Sequence, residues 1–307
     1  MQTDRSARYW PYVAGVLLLA AIVWAVFFRH ADEVPVQTMT PVAKVIPRPD
    51  AVGNAEAEPA TPPLKAISPS SRPAAVNYEH SDNLQAVIRA TEGKSDAASL
   101  GLRARALQEC EPLAASPDHF AKIDTDGPAR YGENFPIVKR QVETYLKRCG
   151  DLAQVMEAGS MDVKAAIEEA AKAGNLWAKA VTFPRSSQAR PSSEVDGQLK
   201  SFLASRDPDA IDALAADMTR QRTDSNFSDL AGSPLSTYAW QLVSCELGRD
   251  CSASGQLMRE ACIFGGKCGT AADFHALLKD SVLTADELSR VESVEQAILD
   301  AIRTRIH

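Results

Sequence analysis

The sequence predicts an all-α protein carried behind one membrane-spanning helix and a proline-rich tether. Three observations carry that expectation. Twenty consecutive residues near the N-terminus lack a charge, nine of the 18 prolines crowd into the segment just after them, and from about residue 80 apolar residues recur at helical spacing. No sustained alternation of the kind a strand needs interrupts that last pattern.

The uncharged run is Tyr9–Phe28. At about 1.5 Å per residue it reaches about 30 Å, the hydrocarbon thickness of a bilayer. Tyr9, Trp10 and Tyr12 at one end, with Trp24, Phe27 and Phe28 at the other, stand where interface aromatics belong. Pro11 falls in the first turn, where its missing N–H costs little. A cleaved secretory leader would have a shorter apolar core and a small-residue cleavage site, whereas this run ends in Val26-Phe27-Phe28-Arg29. The expectation is therefore an uncleaved signal anchor over 9–28. Arg5 and Arg8 precede it against Arg29 after it, which places residues 1–8 in the cytoplasm and the rest outside.

Residues 29–77 read as a disordered linker. They are rich in Pro, Ala, Val, Thr and Ser and show no hydrophobic period, so they cannot bury enough apolar surface to offset ordering entropy. The chain's formal charge of −7 originates beyond this linker. Only seven of its 33 basic and six of its 40 acidic residues precede residue 78, leaving 26 against 34 in the body. That balance argues against a nucleic-acid partner recognised through its phosphates and against attraction to anionic headgroups.

Residues 78–307 read as a helical extracytoplasmic domain. Leu84, Val87 and Ile88 come after a Ser81-Asp82-Asn83 start, and Leu100 to Leu107 lead a second helix into Cys110. Ser116-Pro117-Asp118 opens a third, with Ser as the expected cap. Amphipathic runs continue at Phe135 to Cys149, Asp162 to Ala173, Val195 to Ala204, Asp209 to Met218, Thr237 to Leu247 and Gly255 to Phe264. The last helix starts on the capping box Thr284-Ala285-Asp286-Glu287 and carries a stripe of Leu288, Val291, Val294, Ala297, Ile298, Ala301 and Ile302. Short connections favour antiparallel hairpins.

A turn recurs between helices. Ala171-Lys172-Ala173-Gly174-Asn175-Leu176-Trp177-Ala178 and Ala204-Ser205-Arg206-Asp207-Pro208-Asp209-Ala210 share it, and Thr91-Glu92-Gly93-Lys94-Ser95-Asp96-Ala97-Ala98 is a looser version. It resembles the inter-helix turn of SEL-like repeats, relatives of the tetratricopeptide repeats. The resemblance covers only these turns, and their spacing is irregular. It implies stacked helical hairpins, solenoid-like, serving as a protein-binding scaffold.

Six cysteines lie beyond the predicted span: Cys110, Cys149, Cys245, Cys251, Cys262 and Cys268. The even count suits a disulfide set in an oxidising compartment. In Cys245…Cys251 and Cys262…Cys268 the first Cys lies late in a helix and the second comes after a Gly-containing turn, so local pairs are feasible and would leave Cys110 with Cys149. A crossed arrangement, 245 with 262 and 251 with 268, is equally open to a sequence. A four-cysteine zinc site is the rival, although C-x5-C is wider than the usual knuckle.

No catalytic constellation stands out. The sequence lacks H-E-x-x-H and G-x-S-x-G, and Phe264-Gly265-Gly266-Lys267 lacks the spacing of a phosphate loop. His119 and His275 read as surface helix residues, Glu168-Glu169 and Asp286-Glu287 as solvated faces, and Lys139, Arg140, Lys147 and Arg148 as one solvated basic stretch. Trp177, Tyr238 and Trp240 read as core aromatics. The expectation is a single-pass inner-membrane protein with a periplasmic binding or scaffold domain, no cofactor, no metal and a protein partner in the envelope. The alternative is an envelope hydrolase acting on cell-wall or peptide substrates through unpatterned carboxylates.

Overall fold

A computed structural model describes residues 78–159, 161–187, 191–219 and 227–304. The predicted membrane span at 9–28 and the tether at 29–77 lie outside the described residues. Within them the protein is all-α, 77% helical and without strands. One isolated bridge joins Ser252 to Asp273. No helix of the described residues is long and apolar enough to cross a membrane.

The helices start where the sequence supplies capping side chains. Asn83 accepts the Ala86 amide at 3.2 Å and opens α1 (Leu84–Thr91), which buries Leu84, Val87 and Ile88. Asp96 does the same for the Ser99 amide at 2.9 Å, opening α2 (Ala97–Ala115). Ser116 sits at the expected cap of α3 (Pro117–Ala121), but its hydroxyl makes no capping bond, and the helix lasts five residues. A further helix, α4 (Ile123–Tyr131), then packs on α5 (Phe135–Glu157). The last of these runs well past Cys149, where the sequence suggests an end, because Leu152, Ala153 and Met156 extend its buried face.

Four shorter helices come next: α6 (Val163–Lys172), α7 (Leu176–Ser187), α8 (Ser192–Ser205) and α9 (Pro208–Ala215). The ninth stops at Ala215 and gives way to a 3-10 turn at Asp217–Thr219, short of the expected end at Met218. Beyond it lie α10 (Pro234–Glu246), α11 (Gln256–Ile263), α12 (Phe274–Leu277, continued by a π turn over Leu278–Val282) and α13 (Ala285–Thr304). At the start of α13 the capping box forms in both directions: Glu287 accepts the Thr284 amide at 2.9 Å and the Thr284 hydroxyl accepts the Glu287 amide at 3.3 Å. Its buried stripe keeps Val291, Ile298, Ala301 and Ile302, but Leu299 takes the place of Ala297, which is exposed.

The three similar turns share one backbone device. Gly93, Gly174 and Arg206 all have positive φ, at 72°, 101° and 52°. In each case an Asp or Asn just beyond caps the next helix: Asp96, then Asn175 on the Ala178 amide at 2.9 Å, then Asp207 on the Asp209 and Ala210 amides at 2.9 and 3.0 Å. Asn175 also donates to the Ala97 carbonyl at 3.0 Å, tying α7 to the start of α2. Gly101 makes room for this, since a Cβ there would overlap the Asn175 side chain.

Apolar burial falls into two large clusters. One joins α1, α2 and α5 and includes Cys262, Ile263 and Cys268. The other surrounds Trp240, which is fully buried and donates its indole N–H to the Leu230 carbonyl at 2.9 Å. A small third cluster, built on Leu100, Ala104, Ile167, Ala170, Trp177 and Ala178, links α2 through α6 to α7. All six cysteines are bonded, as Cys110–Cys149, Cys245–Cys251 and Cys262–Cys268, so the local arrangement holds and no thiolate is left for zinc.

Candidate functional site

Between the two large clusters opens a cleft of about 490 Å³. Helix α2 gives it Arg105, Gln108, Glu109 and Pro112, whose spacing of three, one and three residues sets them on one face. Trp177 and Val181 come from α7, one turn apart. Asp212 comes from α9, and Gln256 and Glu260 come from α11. Tyr78, Arg249 and Phe264 complete the charged and aromatic lining.

Charge in and behind the lining is arranged as buried pairs. Arg105 donates to Asp209 at 2.6 Å, and its guanidinium lies over the rings of Tyr78 (4.5 Å) and Trp177 (5.9 Å). Arg249 pairs with Asp212. Glu109 is the most heavily used group, accepting from the Tyr78 hydroxyl at 2.6 Å, Arg148 at 2.7 and 3.1 Å and Arg259 at 3.4 Å. The Arg148 and Glu109 side chains are 3% and 4% exposed. Arg148 also donates to the carbonyls of Tyr78, at 2.8 Å, and Ser81. Its burial corrects the expectation of a solvated basic stretch. On α5, Lys139 and Lys147 do stay at the surface, bound to Asp124 and Asp82 at 2.8 and 2.7 Å, but Arg148 turns inward with Tyr145 and Cys149.

These surroundings move the titrations. Burial works to raise the Glu109 carboxyl, yet the hydrogen bonds and charge of Arg148, with Tyr78 and Arg259, hold it below the ordinary glutamate range. Burial and the adjacent Glu109 charge push the Tyr78 phenol well up. Burial works against charge on Arg105, but Asp209 keeps it above the ordinary arginine range. Glu260 behaves oppositely: burial raises its carboxyl, Arg249 only partly offsets this, and Asp212 adds to the rise. Its hydrogen-bond donor is the Gln256 amide at 2.7 Å, one turn away on the same helix.

Each disulfide stands beside a residue of this site. Cys110 directly succeeds Glu109 and Cys149 directly succeeds Arg148, so the bond that joins α2 to α5 also brings the acid and its guanidinium together. Arg249 lies inside the six-residue span closed by Cys245–Cys251, and Phe264 inside that closed by Cys262–Cys268. Phe264 is 51% exposed, the large apolar side chain left open among the described residues, and rests edge-on against Tyr145 at 5.8 Å.

The other residues singled out from sequence lie away from the cleft or merely support it. His119 and His275 are exposed, the second 3.1 Å from Glu292. Tyr238 packs beside Phe274 at 6.5 Å, and Trp240 is core, whereas Trp177 does reach the cleft. Among the described residues no group of three or more His, Cys, Asp or Glu side chains is placed to hold a metal ion. Arg105, Glu109, Arg249 and Glu260 are functional candidates that sequence reasoning misses. A usable signal exists for Glu109, because it and Arg148 are charges of opposite sign directly preceding two cysteines that pair. Comparison with protein-family models, with curated proteins and with solved structures finds no match to this chain.

Proposed function

We propose that this chain is a membrane-anchored, extracytoplasmic helical binding protein, and that the cleft between its two cores receives the ligand. The apolar run at 9–28 supplies the anchor and residues 29–77 the tether, so the helical body stands off the outer face of the inner membrane. Disulfides suit that address. The resemblance of the turns to SEL-like repeats adds a binding scaffold as the expected role, with a protein of the envelope as partner.

The observation that carries the reading is the investment of four buried arginines, four carboxyls and three disulfides around one open cleft. Buried ion pairs add little net stability compared with apolar packing, so such a concentration is explained better by specificity at a site than by folding. The hydrolase alternative draws on one group. Glu260 has the raised carboxyl that a general acid needs. The other carboxylates of the site are held by guanidiniums, which disfavours a free base beside it.

The test uses full-length protein in detergent, wild type and Phe264→Ala, exposed to solubilised envelope and separately to peptidoglycan and peptides. The binding reading expects a retained envelope component that the substitution releases, and no turnover. Reproducible turnover abolished by Glu260→Gln would instead establish the hydrolase.

A further inference from the structure

Hydrogen-bonding capacity inside the cleft is lopsided. Arg148 shows what a structural arginine looks like here, with all three nitrogens engaged by Glu109 and backbone carbonyls. Arg105 and Arg249 differ. Each gives one nitrogen to one carboxylate, and the remaining N–H groups have no partner among the described residues, although the side chains are only 12% and 5% exposed. The rings of Tyr78 and Trp177 flank the first at 4.5 and 5.9 Å, and the second lies within the Cys245–Cys251 loop. Of the ionised carboxylates in the lining, by contrast, Glu109 already accepts four hydrogen bonds, and Asp212 pairs with Arg249 through one oxygen while its other, Oδ1, is sealed from solvent. A donor-rich cleft inside an acidic body is matched by an anion.

Resting on the binding reading above, we infer that the cleft recognises a carboxylate, held by the free N–H faces of Arg105 and Arg249, on a ligand whose apolar part lies against Trp177 and Phe264. A planar carboxylate suits guanidinium forks, and its single charge is tolerated beside Glu109, Asp212 and Glu260 better than a doubly charged phosphate. Glu260 is positioned to help while it keeps its proton, since a neutral carboxyl is a donor. The groups facing it are Arg249 after α10, Asp212 on α9, Glu109 on α2, the Tyr145 phenol on α5 and Gln256 on its own helix. Ionisation of Glu260 would set a third carboxylate against the ligand, beside Glu109 and Asp212, so binding weakens as pH rises.

Calorimetry on the full-length protein in detergent would compare N-acetyl-phenylalanyl-alanine, its C-terminal amide, and phenylacetate. Loss of one charge-assisted contact is expected to weaken binding about ten- to a hundredfold. The amide should therefore bind at least about tenfold more weakly than the acid, as should the acid to Arg105→Gln and to Arg249→Gln. Glu260→Gln, which keeps a donor and removes the titration, should bind at low pH like wild type and lose the decline at high pH. Peptide binding tighter than phenylacetate assigns a peptide C-terminus, and equal binding assigns a small carboxylic acid. Equal affinity for acid and amide, lost on Phe264→Ala, would overturn the carboxylate inference while leaving a binding site. Absence of binding by the acid up to millimolar concentration also overturns it, as does wild-type affinity in folded Arg105→Gln. Cleavage of either peptide would instead sink the binding reading beneath it.

Discussion

Replacing Glu109 by Ala removes the group on which the cleft's buried charge converges. Four contacts disappear together: the Tyr78 hydroxyl at 2.6 Å, Arg148 at 2.7 and 3.1 Å, and Arg259 at 3.4 Å. Arg148 keeps the carbonyls of Tyr78 and Ser81, but Arg259, whose side chain is 6% exposed, retains no partner among the described residues. One buried guanidinium is thus left uncompensated and a second partly so, for which the expected cost is about 3–5 kcal/mol. Glu109→Gln keeps an acceptor oxygen and the side-chain shape, and should cost about 1.5–3 kcal/mol. Urea unfolding of the oxidised full-length protein, monitored by near-ultraviolet circular dichroism, measures both. The sign of the pH dependence is also set. Because the folded carboxyl lies below the ordinary glutamate value of about 4.3, its contribution is complete above that pH and is lost as pH falls through the folded value. The acid limb of the stability curve should therefore flatten in Glu109→Ala. A loss under about 1 kcal/mol at neutral pH, with an unchanged acid limb, would refute the claim that this carboxylate holds the network together.

The disulfides and a second perturbed acid set further expected outcomes. Opening Cys110–Cys149 by paired Ser substitution, with a sequence separation of 39, should cost about 4 kcal/mol in urea unfolding, against about 2 kcal/mol for Cys245–Cys251 with its separation of 6. The shorter loop should matter more for the ligand, since Arg249 lies within it, and calorimetry with the acetylated dipeptide reads that directly. Glu295 on α13 is pushed up to about 7 by burial and by the charges of Glu246 and Glu292, despite His275. An acid raised in the fold favours the folded state below its unfolded value of about 4.3, and that advantage fades as pH climbs to about 7. Glu295→Gln should accordingly raise the melting temperature at pH 8 and leave it unchanged at pH 4, a comparison that differential scanning fluorimetry makes.

Much of the helical framework is legible in the sequence because local chemistry specifies it. Asn83, Asp162 and Thr284 with Glu287 announce helix starts through bonds that form within three residues, and these appear where the sequence puts them. The local disulfides are feasible from sequence, each closing over a turn at Gly248 or Gly265-Gly266, but only the fold chooses them over the crossed pairing. Arg148 is misread when charge adjacency with Lys147 is weighed above helical phase. Counting from Val138 through Val142, Tyr145, Cys149 and Leu152 places residue 148 beside the buried face. The cleft itself is not legible. Arg105 meets Asp209 across 104 residues and Arg259 meets Glu109 across 150, and no local pattern encodes such pairings. Nor does composition separate a guanidinium with spare donors from one that is saturated.

The proposed extracytoplasmic binding cleft rests on the six cysteines being oxidised. Intact-mass spectrometry after alkylation of the full-length chain, denatured without reductant directly from cells, tests this most simply. Alkylation of none of the six cysteines, rising to six after reduction, is the predicted result. Full alkylation before any reductant is added would contradict it, leaving Arg249 and Phe264 on unclosed loops and removing the grounds for an extracytoplasmic address.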